Sequence, residues 1–274
     1  MFGVNTASKG QQTMHSGTEQ HTFANLEASL SKSTSVRSVF ENAPHYLGNR
    51  RVDIRVRINA VKDFADMIRW ERLLDIGCGD GSVSLPLVGA KSCSTFLDLS
   101  SSMTDRVREN VPKIYRENVQ VRNEDFMTAA FDSEFDLIVS VGVMAHVDSP
   151  EKYISKIVSL LRPKGHAIIE FTDCRHITGR LARFTSNLKE LIAPPRYRTN
   201  RLSFRDVAEI FKRQHLRLVS VFRYATLPIP GVQRIASPEF QYDMIENCFG
   251  RVGRKRNQWL GNEYICLLSP DDGS

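Results

Sequence analysis

The apolar positions of this chain change period along its length. Between residues 51 and 68, RVDIRVRINAVKDFADMI, they recur at helical spacing. Ile54, Ile58, Val61, Phe64, Ala65 and Ile68 fall on one face, which predicts a long amphipathic helix. Beyond it, seven short runs rich in branched and aromatic residues read as strands: RLLDI, CSTFLD, VQVRN, FDLIVS, GHAIIEF, LRLVSVF and YICLLS. Helical stretches, among them MTDRVRENV, SPEKYISKIVSLL and SFRDVAEIFKRQH, separate most of these runs. The second opens with Ser149 as a cap, Pro150 at the first position and Glu151 in the first turn, and LRPKG at 161 to 165 stops it. Alternation of this kind predicts an α/β fold, a three-layer sandwich whose mostly parallel seven-stranded sheet is covered by helices on both faces.

Two stretches break the alternation. Residues 172–200 leave the sheet at the carboxyl end of the fifth strand and carry the basic segment GRLARFTSNLKELI and a stiff Pro-Pro pair. Residues 236–258 separate the last two strands and include the helical FQYDMIENCF. Both are expected to be helical lid insertions over a substrate, and the second serves equally well as a contact surface between two copies, so a homodimer is open. Residues 1–35 are rich in Ser, Thr, Gln and Gly and are expected to form a flexible arm, which leaves 36–270 as one domain. Neither a signal peptide nor an apolar run of about eighteen residues is visible, so the expectation is a cytoplasmic protein without membrane insertion.

Composition changes this picture little. Cysteines at 78, 93, 174, 248 and 266 form no CxxC pair and have no histidine at zinc-site spacing, so no disulfide framework and no metal are expected. Cys93 and Cys266 read as small buried hydrophobes. Charge is more informative: of a net +6, residues 174–217 hold eleven Lys or Arg against three Asp or Glu. Such a field suits phosphates, nucleic acid, an acidic small substrate or an anionic membrane face, and a solvated helix surface explains it as well.

The chemistry concentrates at strand ends. RLLDIGCGDGS, 72–82, ends a strand in Asp75 and then places Gly77, Gly79 and Gly81 at alternate positions. A turn of this kind lets backbone approach a ligand closely, and a following helix would present free amides to it. Ser82 stands where a dinucleotide fingerprint has its third glycine, which argues against a diphosphate. At the end of the next strand, Asp98 is placed to accept from both ribose hydroxyls, or else to cap the next helix. In RNEDF, Asp125 suits an adenine amino group and Phe126 an apolar face, or the pair is a loop acid and a core aromatic. The three strand ends outline one crevice for an adenosine.

These residues resemble the class I S-adenosylmethionine-dependent methyltransferases. The family's acidic residue before GxGxG matches Asp75 and the glycines around Cys78, its ribose acid matches Asp98 beside Leu99, and its adenine-side acid matches Asp125 beside Phe126. FDLIVSVGVMAHVDSPEKYISKIVSLLRPKGHAIIEF is similar to the family's fourth strand, loop, helix and LxPGG turn, with Lys164 at the first glycine of that turn. The resemblance covers about residues 50 to 268. It implies a Rossmann-like methyltransferase fold with the last strand antiparallel, S-adenosylmethionine as cofactor, and the cofactor's methionine end over Gly77 to Gly79 with Ser140 and Val141 at its edge. Tyr46, Arg50 and Arg51 stand where relatives close over the amino acid end, and their alternative is to face water. His146, in VGVMAHVDS, is the candidate base, substrate contact or loop-ordering residue, and His176 is a second candidate base.

Neither an [DNS]PP[YFW] tetrapeptide nor a cysteine in a PC context follows, which argues against methylation of a flipped base. The expected function is methyl transfer to an oxygen or nitrogen of a small metabolite, an acidic one if Arg180, Arg183 and Arg196 line the lid. An RNA or protein methyltransferase and a non-catalytic S-adenosylmethionine-binding protein are the alternatives.

Overall fold

The computed structural model describes residues 34, 37, 38, 41, 51–177, 199–226, 236–254 and 256–271, leaving aside the Arg51 side chain. Helix α1 (Arg51–Ala65) leads into β1 (Arg72–Ile76), β2 (Cys93–Asp98), α2 (Ser101–Asn110), β3 (Val119–Asn123), β4 (Phe135–Ser140), α3 (Pro150–Leu160) and β5 (Leu161–Thr172). After these come α4 (Phe204–Arg213), β6 (Leu216–Tyr224), α5 (Pro238–Phe249) and β7 (Glu263–Pro270). Seven strands form one sheet in the order β3-β2-β1-β4-β5-β7-β6. β1 to β5 pair in parallel, and β7 runs antiparallel to both β5 and β6.

Strand periodicity sorts the core into two layers. Leu74, Ile138, Ala167, Ile169 and Cys266 face α3 and α4, where they meet Tyr153, Ile154, Ile157, Val207 and Ile210. Their neighbours Leu73, Leu137, Val139, Ile168 and Leu267 face α1 and α5, where they meet Val56, Val61, Phe64, Tyr242 and Ile245. Each such side chain, once fully buried, is worth about 1.5–3 kcal/mol, so the alternating pattern fixes the strand register. Serine caps the start of α2, α3, α4 and α5: the Ser100, Ser149, Ser203 and Ser237 hydroxyls accept from the amides of Met103, Lys152, Asp206 and Phe240.

Several expectations change. α1 stops at Ala65, and its buried face runs through Val56, Ala60, Val61 and Phe64, so Ile54 and Ile58 are only half-buried. The glycine turn is followed by no α-helix. Pro86 and Gly89 interrupt the connection, which holds one 3-10 turn at Leu85–Leu87, so no long helix presents its amides there. Cys93 opens β2 at its exposed end and is solvent-accessible, whereas Cys266 is buried. The stretch 236–258 does not form a lid among its described residues. Tyr242, Ile245 and Phe249 pack α5 into the layer it shares with α1, and no described residue of the stretch lines the cleft. The basic segment expected over the substrate, with Arg180, Arg183 and Arg196, lies outside the described residues. No helix among the described residues is long and apolar enough to cross a membrane.

Candidate cofactor and active site

Between β1 and β4 the strand order reverses, the switch point at which open α/β sheets leave a crevice beyond their carboxyl ends. A cleft of about 1260 Å³, open mouth included, occupies that place. Its floor is the glycine turn. Gly77 and Cys78 amides both donate to the Leu97 carbonyl at 2.8 and 3.1 Å, tying the turn to the end of β2. Gly77, Gly79 and Gly81 have φ of 67°, 55° and 80°, where a side chain is strained. A Cβ on Gly77 would lie 2.5 Å from Val143 Cγ2, and one on Gly81 2.7 Å from Leu85 Cδ1, whereas on Gly79 it would meet open space. The outer glycines therefore permit close packing, and the middle one keeps the floor bare.

Two acids, Asp75 buried and Asp98 half-buried, sit against this floor. Asp98 Oδ2 accepts from the Gly79 amide and Oδ1 from the Ser100 amide, each at 2.9 Å. Each oxygen retains a lone pair, as two vicinal hydroxyls require. Burial raises the Asp98 pKa, the two amides oppose the rise, and nearby Glu41 adds to it. Asp75 is 2% exposed, and its Oδ2 has no hydrogen-bond partner. Burial pushes its carboxyl up to about 7, with Asp98 adding to the rise and the Ser84 hydroxyl beside it opposing, though that hydroxyl closes no hydrogen bond of normal geometry. A bare glycine floor, a diol acceptor and an orphaned buried carboxylate fit the ribose and the cationic end of S-adenosylmethionine.

Beyond the end of β3, Asp125 lines the cleft while its Oδ1 accepts from the Met127 amide at 2.8 Å. Phe126 lines the cleft and also belongs to the core, edge-on to Tyr153 with centroids 5.2 Å apart. Lys156 Nζ donates to the carbonyls of Met127 and Ala129, which staples this loop to α3.

Of the other candidates, Cys78, Leu99, Val141 and His146 line the cleft. Burial drives the Cys78 thiol well above its ordinary pKa, and Asp75 and Asp98 add to the rise. Ser140 does not line the cleft: alternation along β4 turns it toward α3, where its hydroxyl lies 2.7 Å from the Tyr153 hydroxyl, itself raised in pKa mainly by burial. His176 is half-buried outside the cleft, with Nε2 3.0 Å from the Trp259 carbonyl oxygen. Tyr46 and Arg50 lie outside the described residues, as does the Arg51 side chain.

Three features of the site escaped the sequence reading. Arg57, two turns into α1, is the arginine that reaches the cleft among the described residues. Its Nε meets Glu170 Oε1 at 3.0 Å and Oε2 at 2.7 Å, and its terminal nitrogens lie beside Gly142. Tyr224 donates to the same Glu170 at 3.0 Å. The spacing of Arg57 from Ile54 and Val61 was the available signal. Asn200 clamps the His146 loop: its amide donates to Ala145 at 2.8 Å, and Nδ2 to Met144 and Val147 at 3.2 and 2.6 Å. Arg37 and Glu41 bind the rim beyond Asp98. Arg37 Nε donates to the Leu99 carbonyl at 2.8 Å, and the Glu41 carboxylate accepts from the Ser101 and Ser102 amides. Nothing in the sequence marks that contact. Among the described residues no group of His, Cys, Asp and Glu is arranged to hold a metal ion.

A sheet of this order with its last strand reversed, and a glycine turn at the switch point flanked by strand-end acids, defines the class I S-adenosylmethionine-dependent methyltransferase fold. Residues 73–165 match the family model described as a methyltransferase domain. Among curated proteins the chain is similar to a phosphatidylethanolamine N-methyltransferase of Cereibacter sphaeroides, 33% identical over 103 residues, 37% of this chain and 50% of the relative. It is also similar to a ubiquinone biosynthesis O-methyltransferase of Coxiella burnetii, 28% identical over 99 residues, 36% of this chain and 42% of the relative. The chain thus spans half or less of the length of these curated relatives. The crystal structure of magnesium protoporphyrin IX methyltransferase from Synechocystis shares the fold with a TM-score of 0.59, at 16% identity over 87% of this chain and 99% of that one.

Proposed function

We propose that the chain is a cytoplasmic enzyme that transfers the methyl group of S-adenosylmethionine to an oxygen or nitrogen of a small molecule. The observation that carries this reading is the cleft floor: Gly79 open to the ligand, with Asp98 tied to its amide and Asp75 orphaned beneath. When bound, the sulfonium supplies an activated methyl group, and the chain's own work is to orient an acceptor in line with it. Asp98 holds the ribose, Asp125 and Phe126 the adenine, and Arg57 meets the carboxylate of the amino acid end. His146, on the loop held by Asn200, faces the acceptor side and takes its proton where the acceptor is a hydroxyl. The matched N- and O-methyltransferases, acting on a phospholipid amine and in ubiquinone biosynthesis by their names, support a small-molecule acceptor and leave the accepting atom open.

The test supplies methyl-labelled S-adenosylmethionine to the protein in a lysate of its source organism and separates lipid and acid-soluble metabolites from protein and nucleic acid. Label in a small molecule that disappears with Asp98→Ala is expected. Label confined to protein or RNA overturns the small-molecule reading, and no enzyme-dependent label overturns turnover itself.

A further inference from the structure

The cleft uses the carboxyl ends of β1 to β4. Beside it, on the same edge of the sheet, β5 ends at Thr172 opposite Glu263 at the start of β7. A second feature stands there that the methyl-transfer site does not employ. The stretch RVGRKRNQW, 251–259, holds four cations and no acid. Its loop is built rather than loose: Gln258 Nε2 donates to the carbonyls of Phe249, Arg251 and Arg254, and Arg256 donates to that of Asn247. Gly250 and Gly253 turn it with φ of 72° and 76°.

What the loop presents is an exposed tryptophan on the same short stretch as two exposed arginines. Trp259 is 66% exposed. Its carbonyl receives Arg223 Nη2 at 3.1 Å and meets His176 Nε2 at 3.0 Å, which brings Ile177, 71% exposed, alongside. Arg251 is neutralised by Asp63, but Arg254 and Arg256 are exposed and have no ion-pair partner among the described residues. Of the acids at this end of the sheet, Asp173 is buried and accepts from the Arg175 amide, Glu263 accepts from Thr172, and Glu246 of α5 stands beside Arg251.

We propose that this rim, Trp259 and Ile177 with Arg254 and Arg256, docks the protein on an anionic lipid surface, so that the cleft mouth faces the bilayer. Tryptophan is at home at the membrane interface, with its ring in the acyl boundary and its N–H toward water. Arginines beside it complement anionic headgroups. An aliphatic side chain at the tip favours acyl chains over nucleobases, since a single-strand platform needs successive aromatic faces and this rim has one. The proposal does not depend on catalysis, because docking requires neither cofactor nor acceptor.

The test uses the full chain with Trp70→Phe, leaving Trp259 as the reporter, and vesicles of phosphatidylcholine with or without about one third phosphatidylglycerol. Expected is partitioning onto the anionic vesicles alone, weakened by salt, with a blue shift of Trp259 emission. Each exposed arginine contributes about fivefold, so Arg254→Gln with Arg256→Gln weakens partitioning about 25-fold. Trp259→Ala weakens it while S-adenosylhomocysteine binding, the control for folding, is unchanged. Equal binding to neutral vesicles, unshifted emission on bound protein, or binding to an RNA oligomer in place of vesicles overturns the proposal.

Discussion

Asp75 makes the folded protein's stability depend on pH in a direction opposite to that of most carboxylates. Its ordinary pKa is 3.8, and burial holds the folded value at about 7. Below 3.8 both folded and unfolded forms carry the proton and the group contributes nothing to pH dependence. Between the two values the folded form keeps a proton that the unfolded chain has lost, so stability falls as pH rises and levels off above 7. At about 1.4 kcal/mol per pH unit, the gap amounts to about 4 kcal/mol of lost stability. Asp75→Asn removes the titration, and its new amide hydrogen faces the partnerless Ser84 hydroxyl. Urea denaturation of both proteins between about pH 5 and pH 8 measures the effect: the variant's stability relative to the parent rises with pH and flattens above 7. A difference that stays constant over this range refutes the reasoning.

Gly77→Ala places a methyl 2.5 Å from Val143 at a φ of 67°, so it costs about 2 kcal/mol or more in denaturant unfolding and lowers cofactor affinity at least tenfold by calorimetry. Glu170→Ala leaves Arg57 without its partner where the pair is 15% and 2% exposed, and thermal unfolding shows a loss of about 3 kcal/mol that Arg57→Met in the same chain partly restores. Asn200→Ala releases the two side-chain hydrogen bonds to the His146 loop, and steady-state kinetics show kcat reduced about tenfold with cofactor affinity little changed.

Much of the fold was legible because the strands obey one rule. Leu73 and Leu74, or Ile168 and Ile169, alternate between two layers of helices, and runs buried on both faces stand out as continuous apolar text. The glycines, Asp98 and Asp125 were legible for a different reason: they act within a few residues of a strand end, where chain position nearly equals spatial position. Ser140 misled because a single step along β4 reverses a side chain. The connection after Gly81 misled because a helix was expected to follow the turn, where Pro86 and Gly89 allow only a 3-10 turn. Arg57, Asn200 and Glu41 were illegible because each acts through contacts with distant residues. Glu170 lies 113 positions from Arg57, and Asn200 closes on carbonyls more than 50 residues earlier. The stretch 236–258 read as a lid because an amphipathic helix announces that it will be covered, not what covers it.

The most direct measurement is isothermal titration of the protein with S-adenosylhomocysteine, paired with Asp98→Ala. A cleft built as described binds one molecule per chain with micromolar or tighter affinity, and the variant, still folded by circular dichroism, loses at least tenfold as the ribose hydroxyls lose their acceptor. Folded parent protein that gives no binding heat at any temperature tried, or a variant that binds as tightly as the parent, contradicts the assignment of this cleft.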